Sequence, residues 1–131
     1  MDARDRLRIV IDVDGTLAQF KKPDEEYSDL LPIQAVLDKL REYAELGYYI
    51  IVYSSRNMRT YDNNLGLLQA NTLPKLVQWL QKWEVPFDEV HVGKPWCGFN
   101  GFYVDDKAIR PSEFVSMSRE DIEALVGEGG A

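Results

Sequence analysis

Four short apolar runs, each stopping at glycine, hydroxyl or charged residues, restrict what this chain can fold into. They are Arg8–Ile11, Tyr49–Tyr53, Val90–Val92 and Phe102–Val104. The first two lack the polar alternation of a half-solvated strand, which marks strands buried on both faces of a parallel sheet. Between the runs lie patterns of a different period. Ile33, Val36, Leu37, Leu40 and Ala44 recur at helical spacing, and Gly47 stands where a C-cap belongs. Leu73, Leu76, Val77, Leu80 and Trp83 form a second stripe, with Pro74 tolerated in its first turn. Ser118 and Asp121 resemble a capping box ahead of Ile122 and Leu125, and residues 127–131 read as a frayed tail. Apolar runs alternating with helices predict an α/β three-layer sandwich with a mainly parallel sheet. Trp79 and Trp83 belong to its core.

Residues 1–131 suffice for one domain and are too few for two. No apolar run approaches the roughly 20 residues that span a bilayer, so no membrane contact is expected. The charged stretch Met1–Arg8 does not read as a signal peptide. The lone Cys97 excludes an internal disulfide, which suits a reducing cytoplasm. A net charge of −7, from 15 basic and 22 acidic residues, argues against a general nucleic-acid partner, whose phosphates are held by Lys and Arg. An anionic small substrate would need basic residues gathered locally.

The residues that stop the apolar runs carry the chemistry. The first run ends in Asp12-Val13-Asp14-Gly15-Thr16 and the second in Ser54-Ser55-Arg56. The third is followed by Gly93-Lys94-Pro95, and the fourth by Asp105-Asp106. Taken singly, each is ordinary: serine and Gly-Lys-Pro belong to turns, and aspartates terminate strands. Ligands of open parallel sheets bind at the carboxyl ends of the strands, so all four segments should converge on one crevice. Asp12, Asp14, Asp105 and Asp106 would then crowd together, and each pair about 4 Å apart costs about 4 kcal/mol at an effective dielectric of about 20. Protonation or a bound cation relieves such crowding. Oxygen ligands with open positions favour Mg²⁺, which keeps waters and accepts phosphate oxygens. A phosphate ester could be shared among the metal, Lys94 and the Ser54 hydroxyl, leaving one carboxylate free to attack phosphorus.

Asp-Val-Asp-Gly-Thr-Leu at 12–17, Ser54, Lys94 and Asp105-Asp106, in that order, resemble the four motifs of the haloacid dehalogenase superfamily. The resemblance spans residues 8–106 and implies a Rossmann-like core with Mg²⁺-dependent phosphoryl transfer through an aspartyl-phosphate. It implies Asp12 as nucleophile and metal ligand. Asp14 would give its backbone carbonyl to the metal and use its side chain as general acid, then base. It further implies Ser54 and Lys94 as holders of the phosphoryl group and Asp105 as a metal ligand, with Asp106 acting directly or through a water. A carboxylate at position 14 favours a phosphatase over the superfamily's transport ATPases. Ser54–Met58, Gly93–Trp96 and Tyr103–Pro111 are further similar to small phosphatases of capsular or other surface-polysaccharide biosynthesis, which suggests a sugar phosphate.

The stretches between Asp14 and Ser54 and between Ser54 and Lys94 are each nearly filled by one helix and its connections, so no cap domain is expected. Only eight residues separate Val92 from Gly101, fewer than the dozen a parallel crossover usually needs, so 90–92 could be an irregular strand. Ser55, Arg56, Trp96 and Lys107 are candidate substrate-binding residues, with Arg56, Arg59, Lys107 and Arg110 forming a basic rim. Residues 57–71 could shield the site or meet a neighbouring subunit, making homo-oligomerisation a substitute for a cap. Receiver-type signalling modules gather similar residues but place the acidic pair first, the reverse of the order here. A catalytically silent phospho-binding member, a phosphomutase, and a nucleotide or nucleic-acid-end phosphatase remain as alternatives.

Overall fold

The computed structural model describes residues 7–93 and 100–127. Four strands, β1 (Arg8–Asp12), β2 (Tyr49–Ser54), β3 (Glu89–Val92) and β4 (Phe102–Val104), form one sheet in the order β3-β2-β1-β4. Every pairing is parallel, with Ile11 opposite Val52 on one side and Val104 on the other. The first two apolar runs thus became strands buried on both faces, as their lack of alternation required, while β3 is half-buried and β4 exposes Phe102 and Tyr103. β3 is a regular strand, registered from Ile51↔Glu89 to Ser54↔Val92. It lies at the edge opposite β4, so the short Val92–Gly101 link does not join neighbouring strands.

Helix α1 (Gln34–Glu45) connects β1 to β2. Between β2 and β3 the chain is helical from α2 (Leu65–Leu67) through a π turn (Leu68–Thr72) into α3 (Leu73–Lys82). Gly47 closes α1 at φ +96°, the left-handed conformation glycine adopts without Cβ strain. Two further helices, α4 (Pro111–Ser116) and α5 (Arg119–Val126), follow β4, and Ser118 caps α5 by accepting from the Asp121 N–H at 3.1 Å.

Alternate strand residues divide between two clusters. Ile9, Ile11, Ile50 and Val52 join Leu37 and Leu40 of α1 and Leu76, Trp79 and Leu80 of α3 in the main core. Two successive right-handed crossovers moving the same way along a sheet put their helices on one face, as found here. Val10, Ile51 and Tyr53 form a smaller cluster on the opposite face, to which none of the described helices contributes. The Trp79 indole N–H donates to the Leu30 carbonyl at 2.8 Å, tying the loop after β1 to α3. Truncating a fully buried side chain such as Leu76 to alanine would cost about 2–5 kcal/mol. Among the described residues no helix is long and apolar enough to cross a membrane.

Candidate active site

The sheet topology selects one crevice. From β1 the chain builds outward through β2 to β3, then returns to the other side of β1 for β4, so the order reverses between β1 and β4. Open α/β sheets bind ligands beyond the carboxyl ends of their strands at such a reversal. Asp12 is the last residue of β1, and Asp105 and Asp106 directly follow β4. Oxygens of these three carboxylates lie within 4.8 Å of one another.

The loop after β1 is built to hold this arrangement. The Val13 carbonyl accepts from the N–H groups of Thr16, Leu17 and Ala18 at 3.1, 2.9 and 2.8 Å, coiling the chain tightly. Gly15 sits at φ +85°, and a Cβ there would lie 2.3 Å from the Phe20 ring and 2.7 Å from Asp106 Oδ2. Only glycine suits that turn. The Thr16 hydroxyl reaches Asp12 Oδ2 at 3.2 Å and Asp106 Oδ1 at 3.3 Å, and its single proton can serve one of them at a time. Burial, followed by the hydrogen bond with Asp106 and the charges of Asp105 and Asp106, pushes the Asp12 carboxyl up to about 8. Asp105 is held from two sides, by the Tyr53 hydroxyl on Oδ2 and the Lys107 backbone N–H on Oδ1 at 2.7 Å. Tyr53 is itself the register partner of Asp12, and burial together with its bond to Asp105 pushes its phenol well up.

Asp14 departs from the expected four-carboxylate crowd. Its side chain turns to Arg56, with Nη2 2.8 Å from Oδ1 and Nε 3.2 Å from Oδ2. The Ser54 hydroxyl also reaches Asp14 Oδ2 at 3.3 Å and accepts the Arg56 N–H at 3.0 Å. Arg56 therefore does not stand on an exposed rim: its side chain is 1% exposed, turned inward because Asp14 supplies the charge that makes its burial tolerable. Ser54 is fully buried, and it meets the site through Asp14.

A cavity of about 420 Å³ opens over these groups. Asp12, Asp14, Asp105 and Asp106 line it with Tyr53 and Ser55, while Phe20 and Met58 add apolar wall and Gly93 and Lys107 complete the lining. Ser55 thus lines the cavity. The Lys107 ammonium is bonded to the Val126 carbonyl at 2.5 Å, at the end of α5. Arg59 and Arg110 are exposed and line no part of this cavity. Lys94 and Trp96 lie outside the described residues, as do the segment 1–6 and the tail from 128, although Gly93 brings the chain to the cavity edge. Met58 belongs to the segment expected to shield the site, which Thr72 anchors through Asn57 at 2.9 Å.

Sequence reasoning missed Phe20, Tyr53 and Tyr27, whose ring centroid lies 3.9 Å from the Arg56 guanidinium carbon. The register of β2 on β1 could have found Tyr53, because the residue beside a strand-terminal aspartate faces the same crevice. Phe20 and Tyr27 stand in an irregular loop, where no periodicity indicates direction.

No protein-family model matches the chain, and no curated protein matches it. Solved structures do match it. The Pnkp1/Rnl/Hen1 complex includes a chain 18% identical, matched over 86% of this chain and 35% of that one with a TM-score of 0.51, a likeness of fold. A Vibrio cholerae protein whose crystal structure was determined as an MCSG target is 49% identical, matched over 92% of this chain and 96% of that one with a TM-score of 0.63. The chain belongs to the family of that Vibrio cholerae protein, built on an open, all-parallel, Rossmann-like α/β sheet.

Proposed function

We propose that this chain is a Mg²⁺-dependent phosphomonoester hydrolase of the haloacid dehalogenase type, acting through an aspartyl-phosphate on Asp12. The supporting observation is the cluster of Asp12, Asp105 and Asp106 at the strand-order reversal. An all-oxygen donor set with a carboxyl pushed up to about 8 by burial and by its acidic neighbours is one that a hard divalent cation would relieve. The chemistry a bound Mg²⁺ supplies is neutralisation of these carboxylates and polarisation of a phosphoryl oxygen.

The chain's own residues divide the remaining work. An ionised Asp12 oxygen attacks phosphorus, the bond from phosphorus to the ester oxygen breaks, and Asp14 delivers a proton to that leaving oxygen. Asp14 then takes a proton from water, whose oxygen attacks the same phosphorus and returns Asp12 as a carboxylate with release of inorganic phosphate. Ser55 offers a hydroxyl to the phosphoryl group, and Lys94 keeps the role of countering its charge. Phe20 and Met58 wall the space a leaving group would fill, and a small sugar phosphate, such as surface-polysaccharide synthesis consumes, is the substrate to test first.

The experiment is a turnover screen of the purified protein over phosphorylated sugars, nucleotides and p-nitrophenyl phosphate, with Mg²⁺ and with excess chelator. Metal-dependent release of phosphate, lost in Asp12→Asn, is the expected result. Undiminished turnover in chelator, or Asp12→Asn activity within tenfold of the parent, overturns the reading.

A further inference from the structure

We propose that Arg56 is the positioning residue of Asp14 and that Tyr27 is the seat that keeps Arg56 in place. The inference rests on the phosphatase reading for what Asp14 does and on geometry for the rest. Arginine is among the residues least often buried, yet Arg56 is 5% exposed. Its guanidinium fork meets one carboxylate, Asp14, through two parallel bonds of 2.8 and 3.2 Å, the geometry that fixes both oxygens of a carboxylate at once. Behind the fork, the Tyr27 ring centroid lies 3.9 Å from the guanidinium carbon.

Stability alone accounts poorly for this assembly. Among the described residues Arg56 Nη1 is buried without a hydrogen-bond partner, and an unmade buried bond is costly. Apolar residues of similar volume commonly replace a buried ion pair with no loss of stability. What an apolar replacement could not do is set the direction of Asp14. That carboxylate lines the cavity, with its side chain 23% exposed, and a short side chain facing open space would otherwise sample several rotamers. The Ser54 hydroxyl adds a third donor, on Oδ2, while among the described residues Oδ1 accepts from Arg56 alone and retains a lone pair for proton exchange. Tyr27 comes from the short 3₁₀ turn Tyr27–Asp29 in the loop after β1, so the loop that carries Asp14 also supports its partner.

The test is a double-mutant cycle in the full chain with Mg²⁺ and p-nitrophenyl phosphate, measuring kcat and KM separately. Arg56→Lys keeps the charge and removes the fork, and should lower kcat about 30-fold with KM changed less than about threefold, the scale of a misplaced catalytic group. In an Asp14→Asn background the same substitution should cost less than about twofold, because its effect runs through Asp14. Tyr27→Phe, which preserves the stacked ring, should stay within about twofold of the parent, while Tyr27→Leu loses about tenfold. Should Arg56→Lys fail to fold, Tyr27→Leu carries the test in both backgrounds, since the guanidinium stays. Equal proportional losses with and without the Asp14 carboxylate overturn the proposal, as does an effect confined to KM, which would make Arg56 a binding residue. A parent protein that hydrolyses no ester overturns the phosphatase reading and this inference with it, an outcome distinct from an active parent with additive losses.

Discussion

Asp12, the last residue of β1, and Asp14, two residues on in the following loop, meet opposite electrostatic conditions. Asp12 faces Asp105 and Asp106, and burial together with these neighbours pushes its carboxyl up to about 8. Asp14 is held by a buried guanidinium, a serine hydroxyl and the aromatic ring behind them. The first gathers carboxylates that could hold a metal ion, and the second carries its positive charge within the fold. One local sequence therefore produces a place for a ligand and a place for an oriented side chain. Removing charge should help the folded protein at the first and harm it at the second.

The largest expected effect is on turnover. Asp12→Asn removes the attacking oxygen and should lower kcat at least about 1,000-fold, since few alternatives to a covalent nucleophile exist within the site. The same substitution relieves repulsion, so the metal-free protein should melt several degrees higher, on the order of 1–2 kcal/mol of added stability. Loss of both activity and stability would place Asp12 among the structural residues and break the contrast with Asp14.

The contrast in stability is sharpest when each site loses one charge. Arg56→Ala leaves the Asp14 carboxylate without its partner and should cost about 3 kcal/mol, near the low end for a broken buried pair because Asp14 is partly exposed. Asp106→Asn should instead stabilise the metal-free chain by about 1 kcal/mol. Denaturant unfolding of the two variants in chelator measures both signs, and destabilisation by both would show that the acidic cluster is internally satisfied.

A pH titration of the metal-free protein reads the same difference without mutation. Burial and its acidic neighbours push the Asp12 carboxyl up to about 8 in the folded chain against 3.8 for a free aspartate, so between those limits the folded state binds more protons than the unfolded state. Stability should therefore be greatest below about pH 4 on this account and fall as pH rises toward 8, by about 2–3 kcal/mol after allowance for neighbours that share the proton. Mg²⁺ should flatten the slope, as should Asp12→Asn. A metal-free stability that rises over pH 5–8 would contradict the assignment.

The placement of Asp12 and Asp105 could be read before the fold was known because both follow apolar runs, and backbone direction alone sets where a strand ends. Helices α1 and α3 were legible from their stripes and the start of α5 from Ser118 and the residue three places on, whereas α2, the π turn and α4 carried no such stripe. The direction of Asp14 was not, because two aspartates separated by one residue look alike until a partner is known, and that partner, Arg56, lies 42 positions away. Arg56 itself looked like a rim cation for the same reason: its burial depends on Asp14 and on Tyr27, a residue in a loop without periodicity. Phe20 leans on Gly15 only because that glycine adopts φ +85°, a contact between a turn and a ring that no pattern of apolar spacing encodes.

The smallest effect tests whether the acidic cluster is oriented as well as crowded. Tyr53 donates to Asp105 Oδ2 from the end of β2, while the Lys107 N–H holds Oδ1, so the Asp105 carboxylate is fixed in plane by two elements of the fold. Partners of this kind set the direction of a metal-binding carboxylate, and removing one costs about 10-fold in affinity. Tyr53→Phe keeps the ring in the small cluster with Val10 and Ile51, so folding should be little changed. Mg²⁺ affinity, followed by the metal-dependent rise in melting temperature, should weaken about 10-fold, or about 1.4 kcal/mol. The Arg56–Asp14 pair makes no bond to Tyr53, so the effect of Arg56→Lys on kcat at saturating Mg²⁺ should be the same with and without this hydroxyl. Non-additivity there would mean that the two aspartates are supported by one connected network, and the separation drawn between them would fall.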